Sequence, residues 1–142
     1  MILVSACLLG ENCKYSGGNN RREEVCRLLE GKEYVPFCPE QAGGLPTPRL
    51  PSERRDGRVS SSAGEDVTEA FLLGAERALE LCRREGVELA ILKQGSPSCG
   101  SRYIDDGSFS GVKICGEGVT AELLRQNGVR VISEEEIEEQ EN

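Results

Sequence analysis

Three cysteines of this chain each follow a short apolar run, and a thiol is the side chain here best suited to bind a metal. The runs are residues 2–4, 34–37 and 89–92, and the cysteines that follow them are Cys7, Cys38 and Cys99. If the runs are strands of one parallel sheet, their carboxyl ends lie along one edge, where open α/β folds bind ligands. Because the chain contains no histidine, this spacing predicts a soft metal centre held by thiolates.

The number of thiolate ligands determines what such a centre can do. Four ligands close the site and make it structural or electron-transferring, whereas three leave one metal position open to a substrate. Cys13 is the candidate fourth ligand, but it could instead form a disulfide with Cys7 or simply pack. A purely structural alternative is that three buried cysteines happen to end three strands. The remaining cysteines, Cys26, Cys82 and Cys115, are predicted to pack in the core.

Two further polar residues are expected beside the thiols. Glu40 follows Cys38 by two positions, and Ser96 precedes Cys99 by three. A carboxylate and a hydroxyl in the same pocket would provide the acid–base and hydrogen-bonding groups that a catalytic centre needs.

The apolar periodicity predicts the elements that must position these residues. Strands are predicted at residues 2–6, 34–37, 87–92 and 129–132, and helices at 21–30, 66–86 and 120–127, with Asn20, Asp66 and Thr120 as caps. Residues 41–64 are predicted to be irregular, and a hairpin is expected around 106–107. The alternation predicts an α/β class: one compact domain over residues 1–142, with a mostly parallel sheet flanked by helices in a Rossmann-like three-layer arrangement. The acidic C-terminal tail, 134–142, is expected to be solvated.

Composition and charge limit the partner classes. A net charge of −8 over 142 residues argues against a nucleic-acid polymer as partner. No signal peptide and no apolar stretch of membrane-spanning length is present, so we expect a cytoplasmic protein without a membrane partner, whose thiols stay reduced. Seven irregularly spaced cysteines do not form a secreted disulfide framework. The sequence does not indicate an oligomeric state.

Several blocks of the chain resemble the signature motifs of the thiouracil desulfidase family, long catalogued as a domain of unknown function. They are Ser-Ala-Cys-Leu-Leu-Gly at 5–10, Cys-Pro-Glu at 38–40, Gly-Gly-Leu-Pro-Thr-Pro-Arg at 43–49, Gly-Glu-Asp-Val-Thr at 64–68, Ser-Pro-Ser-Cys-Gly at 96–100, Asp-Gly-Ser-Phe-Ser-Gly at 106–111 and Gly-Val-Thr at 118–120. The blocks run in order over nearly the whole chain, which makes the resemblance specific.

The resemblance implies an iron–sulfur enzyme that removes sulfur from thiolated pyrimidines without redox chemistry. It implies a [4Fe–4S] cluster held by Cys7, Cys38 and Cys99, whose fourth iron lacks a protein ligand and binds the substrate sulfur. Glu40 would be the general base for water, and Ser96 would orient the water or the substrate. The products would be the oxo base and hydrosulfide.

The substrate is expected to be a thiolated nucleobase or a nucleotide of one. Gly-rich segments at 16–20 and 95–96 could present backbone N–H groups to an anion, with Arg49 supplying charge, although ordinary turns use the same residues. Arg49 and Ser98 are the candidate substrate contacts.

Three other functions remain open at this point. The first is a non-catalytic iron–sulfur or zinc protein with a closed site of Cys7, Cys13, Cys38 and Cys99. The second is a metal-free thiol redox enzyme that uses Cys7 and Cys13, against which the absence of a Cys-x-x-Cys motif counts. The third is a module that binds a thiolated nucleotide and forms no product.

Overall fold

The computed structural model describes residues 1–137 of the chain. Its strands are β1 (Ile2–Ser5), β2 (Tyr34–Phe37), β3 (Ser52–Arg55), β4 (Arg58–Ser61), β5 (Leu89–Leu92), β6 (Tyr103–Asp105), β7 (Lys113–Cys115) and β8 (Arg130–Ser133). Its α-helices are α1 (Glu23–Leu29), α2 (Pro39–Ala42), α3 (Thr68–Glu85) and α4 (Val119–Gln126), and short 3-10 helices cover Ala6–Leu9 and Glu134–Glu136.

A parallel sheet of four strands in the order β2-β1-β5-β8 forms the centre of the fold. Successive residues of a strand face opposite sides of the sheet. Leu3 accordingly packs in one buried cluster with Ala78 of α3 and Leu124 of α4, whereas Val4 packs in another with Val25 of α1. Helices therefore cover both faces, and the predicted α/β class with a parallel, helix-flanked sheet is confirmed.

The segment 41–64 is not irregular, and that prediction is wrong. It contains the end of α2 and the antiparallel hairpin of β3 and β4, which turns at Asp56 and Gly57 with both residues at positive φ. Strands β3 and β4 are rich in charged and serine residues, so they lack the apolar run that marks a buried strand. The hairpin expected around 106–107 is present as β6 and β7, and it pairs in antiparallel register.

Of the three predicted caps, Asp66 accepts the backbone N–H of Thr68, the first residue of α3, at 2.9 Å, whereas Asn20 and Thr120 do not cap their helices. Helix α1 begins after Arg22, α3 after Val67 and α4 after Gly118, and none of these three residues caps its helix through its side chain. Asn20 instead donates to the Cys7 sulfur, and Thr120 lies buried inside α4. Cys115 was predicted to pack in the core, and that prediction is wrong. It is exposed, as are the other two residues of β7.

The acidic tail begins as packed structure rather than as a solvated end. Glu134 is buried, and Ile137 packs in the cluster on the α1 side of the sheet. Ser133 and Glu136 form a reciprocal capping box that holds this 3-10 turn. Residues 138–142 of the predicted tail lie outside the described residues. Within residues 1–137, no helix is long and apolar enough to cross a membrane.

Gly74 permits the close approach of α3 to α2, and we expect Gly74→Ala to destabilise the protein. A Cβ at this position would stand 2.0 Å from the Pro39 carbonyl oxygen, and the obstructing atom belongs to the backbone. Helix propensity alone would stabilise the alanine variant by about 1 kcal/mol, whereas overpacking typically destabilises a protein by ~1–3 kcal/mol. We expect the overpacking cost to be the larger of the two here, because the backbone itself would have to move. Urea unfolding measures the balance, with exposed Glu76→Ala as a near-neutral control on the same helix. A stabilised Gly74→Ala variant would contradict this packing.

Candidate functional site

A cavity of about 400 Å³ opens at the carboxyl edge of the parallel sheet. Four cysteines line it, namely Cys7, Cys13, Cys38 and Cys99. Glu40, Arg49, Lys93 and Ser96 line it as well. The volume lies within the range of sites for small molecules and cofactors, roughly 300–1,000 Å³.

The strand order explains why three distant cysteines meet. Cys7 lies in the 3-10 turn directly after β1, Cys38 directly follows β2, and Cys99 lies in the loop after β5. Because β2, β1 and β5 are neighbours in one parallel sheet, their carboxyl ends adjoin. The chain thus delivers one thiol from each of three adjacent strands to a common cavity.

Cys13 reaches the same cavity from the loop after the first 3-10 turn. Its buried thiol contacts both Cys7 and Cys38, and these hydrogen bonds raise the pKa of Cys13 and lower that of Cys7. The hydrogen bond with Cys13 also lowers the pKa of Cys38 to about 6, with a smaller contribution from the charge of Arg49. Both shifts make the thiolate, the form that binds metal, easier to reach in Cys7 and Cys38 than in an ordinary cysteine.

Cys99 occupies the innermost position. Burial raises the pKa of its thiol to about 12, and the Ser5 hydroxyl partly opposes this effect by donating to the sulfur at 3.5 Å. The Ser5 oxygen in turn accepts the Lys93 backbone N–H at 3.0 Å. All seven cysteines are free thiols. The soft donors of this cavity are therefore four cysteine sulfurs without an imidazole, a set that suits an iron–sulfur cluster.

Glu40 and Arg49 form a buried ion pair at the side of the cavity. Glu40 lies in the short helix α2, and its Oε1 accepts from Arg49 Nε at 3.1 Å, with the two side chains 17% and 7% exposed. Burial raises the pKa of Glu40, while the charge and hydrogen bond of Arg49 act in the opposite direction. A carboxyl group in this setting is a stronger base than one in water.

Arg49 is engaged by the protein on every side. Besides Glu40, its guanidinium donates to the carbonyl oxygens of Cys13 and Pro46 and to the Thr47 hydroxyl. The sequence suggested that Arg49 contacts the substrate. Arg49 lines the cavity, and its hydrogen bonds also give it the geometry of a clamp that joins Glu40 to the loop of Cys13.

Ser96 and Ser98 lie in one loop but face different surroundings. The Ser96 oxygen accepts the N–H groups of Ser98 and Cys99, both at 3.1 Å, so its own proton is left to donate toward the cavity that it lines. Ser98 is buried, its hydroxyl bonds Thr120 at 2.8 Å, and it does not line the cavity. The expected substrate contact of Ser98 is therefore corrected to a packing role.

Gln94 holds this loop in shape, a role that no motif revealed. Its buried Oε1 accepts three successive backbone N–H groups, those of Ser101, Arg102 and Tyr103, at 3.0 to 3.2 Å. Of the two Gly-rich segments, only Asn20 from 16–20 borders the cavity, whereas Gly95 and Ser96 both do. The segment 16–20 thus contributes a side-chain donor to Cys7 and not a nest of backbone N–H groups around the cavity.

Comparisons with known proteins converge on one family. The family model of 2-thiouracil desulfurase matches residues 2–136. The chain is 45% identical to the Uncharacterized protein YbbK of Bacillus subtilis (strain 168) over 147 residues, which spans 96% of this chain and 97% of that protein. A solved structure, that of the [4Fe-4S]-dependent thiouracil desulfidase TudS (DUF523Vcz), superposes with a TM-score of 0.92 at 49% identity, covering 97% of this chain and 93% of the other.

Proposed function

The chain belongs to the 2-thiouracil desulfurase family, and we propose that it is a [4Fe–4S]-dependent desulfidase that converts a thiolated pyrimidine to the oxo base and hydrosulfide. The observation that carries this function is the convergence of three strand-end thiols beside a buried carboxylate in one cavity. The similarity to a [4Fe-4S]-dependent thiouracil desulfidase over 97% of the chain supports both the cofactor and the reaction.

Cys7, Cys38 and Cys99 would hold the cluster. They come from three adjacent strand ends, and the cavity provides thiolate donors together with the space that a polynuclear centre needs. Bound through three cysteines, such a cluster would supply Lewis-acid chemistry at the one iron that lacks a protein ligand. Cys13 then serves as a hydrogen-bonding neighbour of two ligands rather than as a ligand itself.

Glu40 is the proposed general base. Arg49 occupies its Oε1, so Oε2 is the atom left to accept a proton from water. The oxygen of that water forms a bond to the ring carbon while Glu40 takes one of its protons. The carbon–sulfur bond then breaks with its electron pair going to sulfur, and the second water proton, lost as the new carbonyl forms, ends on the sulfur, which leaves as hydrosulfide. Glu40 afterwards releases its proton to solvent. Burial favours proton uptake by Glu40, while Arg49 fixes the direction of the carboxylate.

Ser96 is the proposed orienting group. Because two amides donate to its oxygen, its O–H points away from them and can donate to the substrate or to the attacking water. The loop around Gln94 fixes this hydroxyl relative to Cys99, which belongs to the same turn. The reacting groups are thereby held in one geometry before the substrate binds.

The substrate is a small thiolated base, and its nucleotide form is part of the proposal. Lys14 borders the cavity, and its positive charge would tolerate a phosphate. The net charge of −8 supports a small-molecule substrate over a nucleic-acid polymer. Seven free cysteines and an oxygen-sensitive cluster would suit the reducing cytoplasm.

Anaerobically purified protein is expected to release hydrosulfide and uracil from 2-thiouracil in equal amounts. Hydrosulfide is measured colorimetrically and uracil by chromatography, with uracil itself as the blank substrate. Binding of 2-thiouracil without either product would favour the binding-module alternative. Consumption of a reductant in step with turnover would contradict the non-redox reaction.

A further inference from the structure

A carboxylate that follows the fourth strand of the sheet contacts residues that line the cavity, and the reaction above does not use it. Glu134 directly follows β8, and the Ser133 capping box fixes the turn that carries it. Its Oε1 accepts the backbone N–H of Gln94 at 2.8 Å, and its Oε2 lies 3.2 Å from Lys93 Nζ. Because its side chain is only 2% exposed, this negative charge is compensated chiefly by Lys93.

Lys93 connects that ion pair to the cavity. It follows β5 and lines the same cavity as Glu40 and Ser96. Its ammonium donates to the Gln94 carbonyl oxygen at 2.8 Å and to Glu134, so the described residues use two of its three N–H donors. The side chain is 32% exposed, which leaves the third donor accessible from the cavity.

The other cations around the cavity are placed differently. The Arg49 guanidinium is occupied by Glu40 and by backbone and hydroxyl oxygens. Lys113 lies on the exposed strand β7 and pairs with Asp105 at 2.6 Å, and Lys14 lies over the ring of Tyr15. Among the cavity lysines, Lys93 is thus the one that a buried counter-ion fixes in place while a donor remains unused.

We propose that Lys93, positioned by Glu134, binds the pyrimidine through an exocyclic carbonyl oxygen that the reaction leaves unchanged. The inference rests on the proposed function and assigns this chain a substrate-binding residue at the end of β5. Thiolated pyrimidines and their oxo products both retain such an acceptor. The interaction therefore contributes equally to substrate and product affinity and affects KM more than kcat.

Lys93→Met tests the role, with Lys113→Met as the matched control. Losing a charged hydrogen bond is expected to raise both KM for 2-thiouracil and the Kd of uracil by about ten- to a hundredfold. The value of kcat and the iron content should stay near those of the wild type. Uracil binding is measured by calorimetry on the holoenzyme. Lys93→Arg restores the charge and is expected to recover most of the affinity.

Lys93→Met leaves Glu134 buried without its counter-ion, which destabilises the fold. A second variant therefore separates loss of binding from loss of structure. The double variant Lys93→Met with Glu134→Gln removes both charges, and the glutamine oxygen can still accept the Gln94 N–H. The same rise in KM and Kd is expected in this variant. Three results would overturn this role for Lys93. They are unchanged uracil affinity in a folded variant without Lys93, a loss of uracil affinity in Lys113→Met as large as in Lys93→Met, and a wild type that does not bind uracil. If the wild type binds uracil but releases no hydrosulfide, the proposed function fails while the uracil affinities still decide the role of Lys93.

Discussion

Cys99→Ser is expected to reduce iron from about four atoms per chain to less than one and to abolish desulfidation, because a serine oxygen is a poor replacement for a thiolate ligand. Cys99 is the innermost of the strand-end thiols, and its hydrogen bond with Ser5 fixes the sulfur toward the cavity. Iron and acid-labile sulfide in the purified variant measure the loss directly. Absorbance of the cluster in the visible region provides an independent readout.

Two serine variants serve as controls for this result. Cys82→Ser replaces a buried cysteine on α3 away from the cavity and should leave the iron content intact. Cys13→Ser removes a thiol that contacts two proposed ligands, and it is expected to keep about four irons with activity within roughly tenfold of the wild type. Iron loss in Cys13→Ser as complete as in Cys99→Ser would contradict a three-cysteine site and favour the closed, non-catalytic one.

Glu40→Gln is expected to lower kcat by about 10²–10⁴-fold while the cluster content stays unchanged, which is the usual contribution of a general base. Glutamine has nearly the same shape and can still accept the Arg49 N–H, but it cannot take the proton from water. Initial rates of hydrosulfide release, normalised to iron per chain, separate loss of the base from loss of the cofactor.

Glu53→Gln is the matched control for this variant. Glu53 also lines the cavity, but its carboxylate accepts the N–H groups of Gly107 and Phe109, a contact that glutamine can retain. Its kcat should stay within a few-fold of the wild type. A fully loaded Glu40→Gln enzyme with wild-type kcat would remove Glu40 from the mechanism.

The fold elements that follow from burial were predictable from the sequence. The strands ending at Ser5 and Leu92 form continuous apolar runs because both faces of the sheet are covered at its centre, whereas the edge strand ending at Phe37 keeps an apolar run with alternating exposed residues. The hairpin of β3 and β4 was missed because its residues are mostly polar, and polar strands do not show that pattern. The capping predictions for Asn20 and Thr120 failed because these residues form tertiary contacts that compete with local caps.

The candidate site could be predicted from the sequence only for residues whose side-chain type itself indicates the chemistry, above all the cysteines. A thiol after each strand marks the cavity edge, since parallel strands share that edge. The ion pair of Glu40 with Arg49 spans a turn of the chain, and that of Lys93 with Glu134 spans three strands and a helix. Such pairs depend on how the chain folds back, which the sequence does not show. The charge of Arg49 therefore suggested a substrate contact, and the acidic run at Glu134 suggested a solvated tail.

The content of iron, acid-labile sulfide and zinc per chain, measured on protein purified without oxygen, tests the central claim most directly. A three-cysteine [4Fe–4S] site predicts about four irons with a matching amount of sulfide and no stoichiometric zinc. One zinc per chain without sulfide would contradict the cluster, the open iron position and the reaction derived from them.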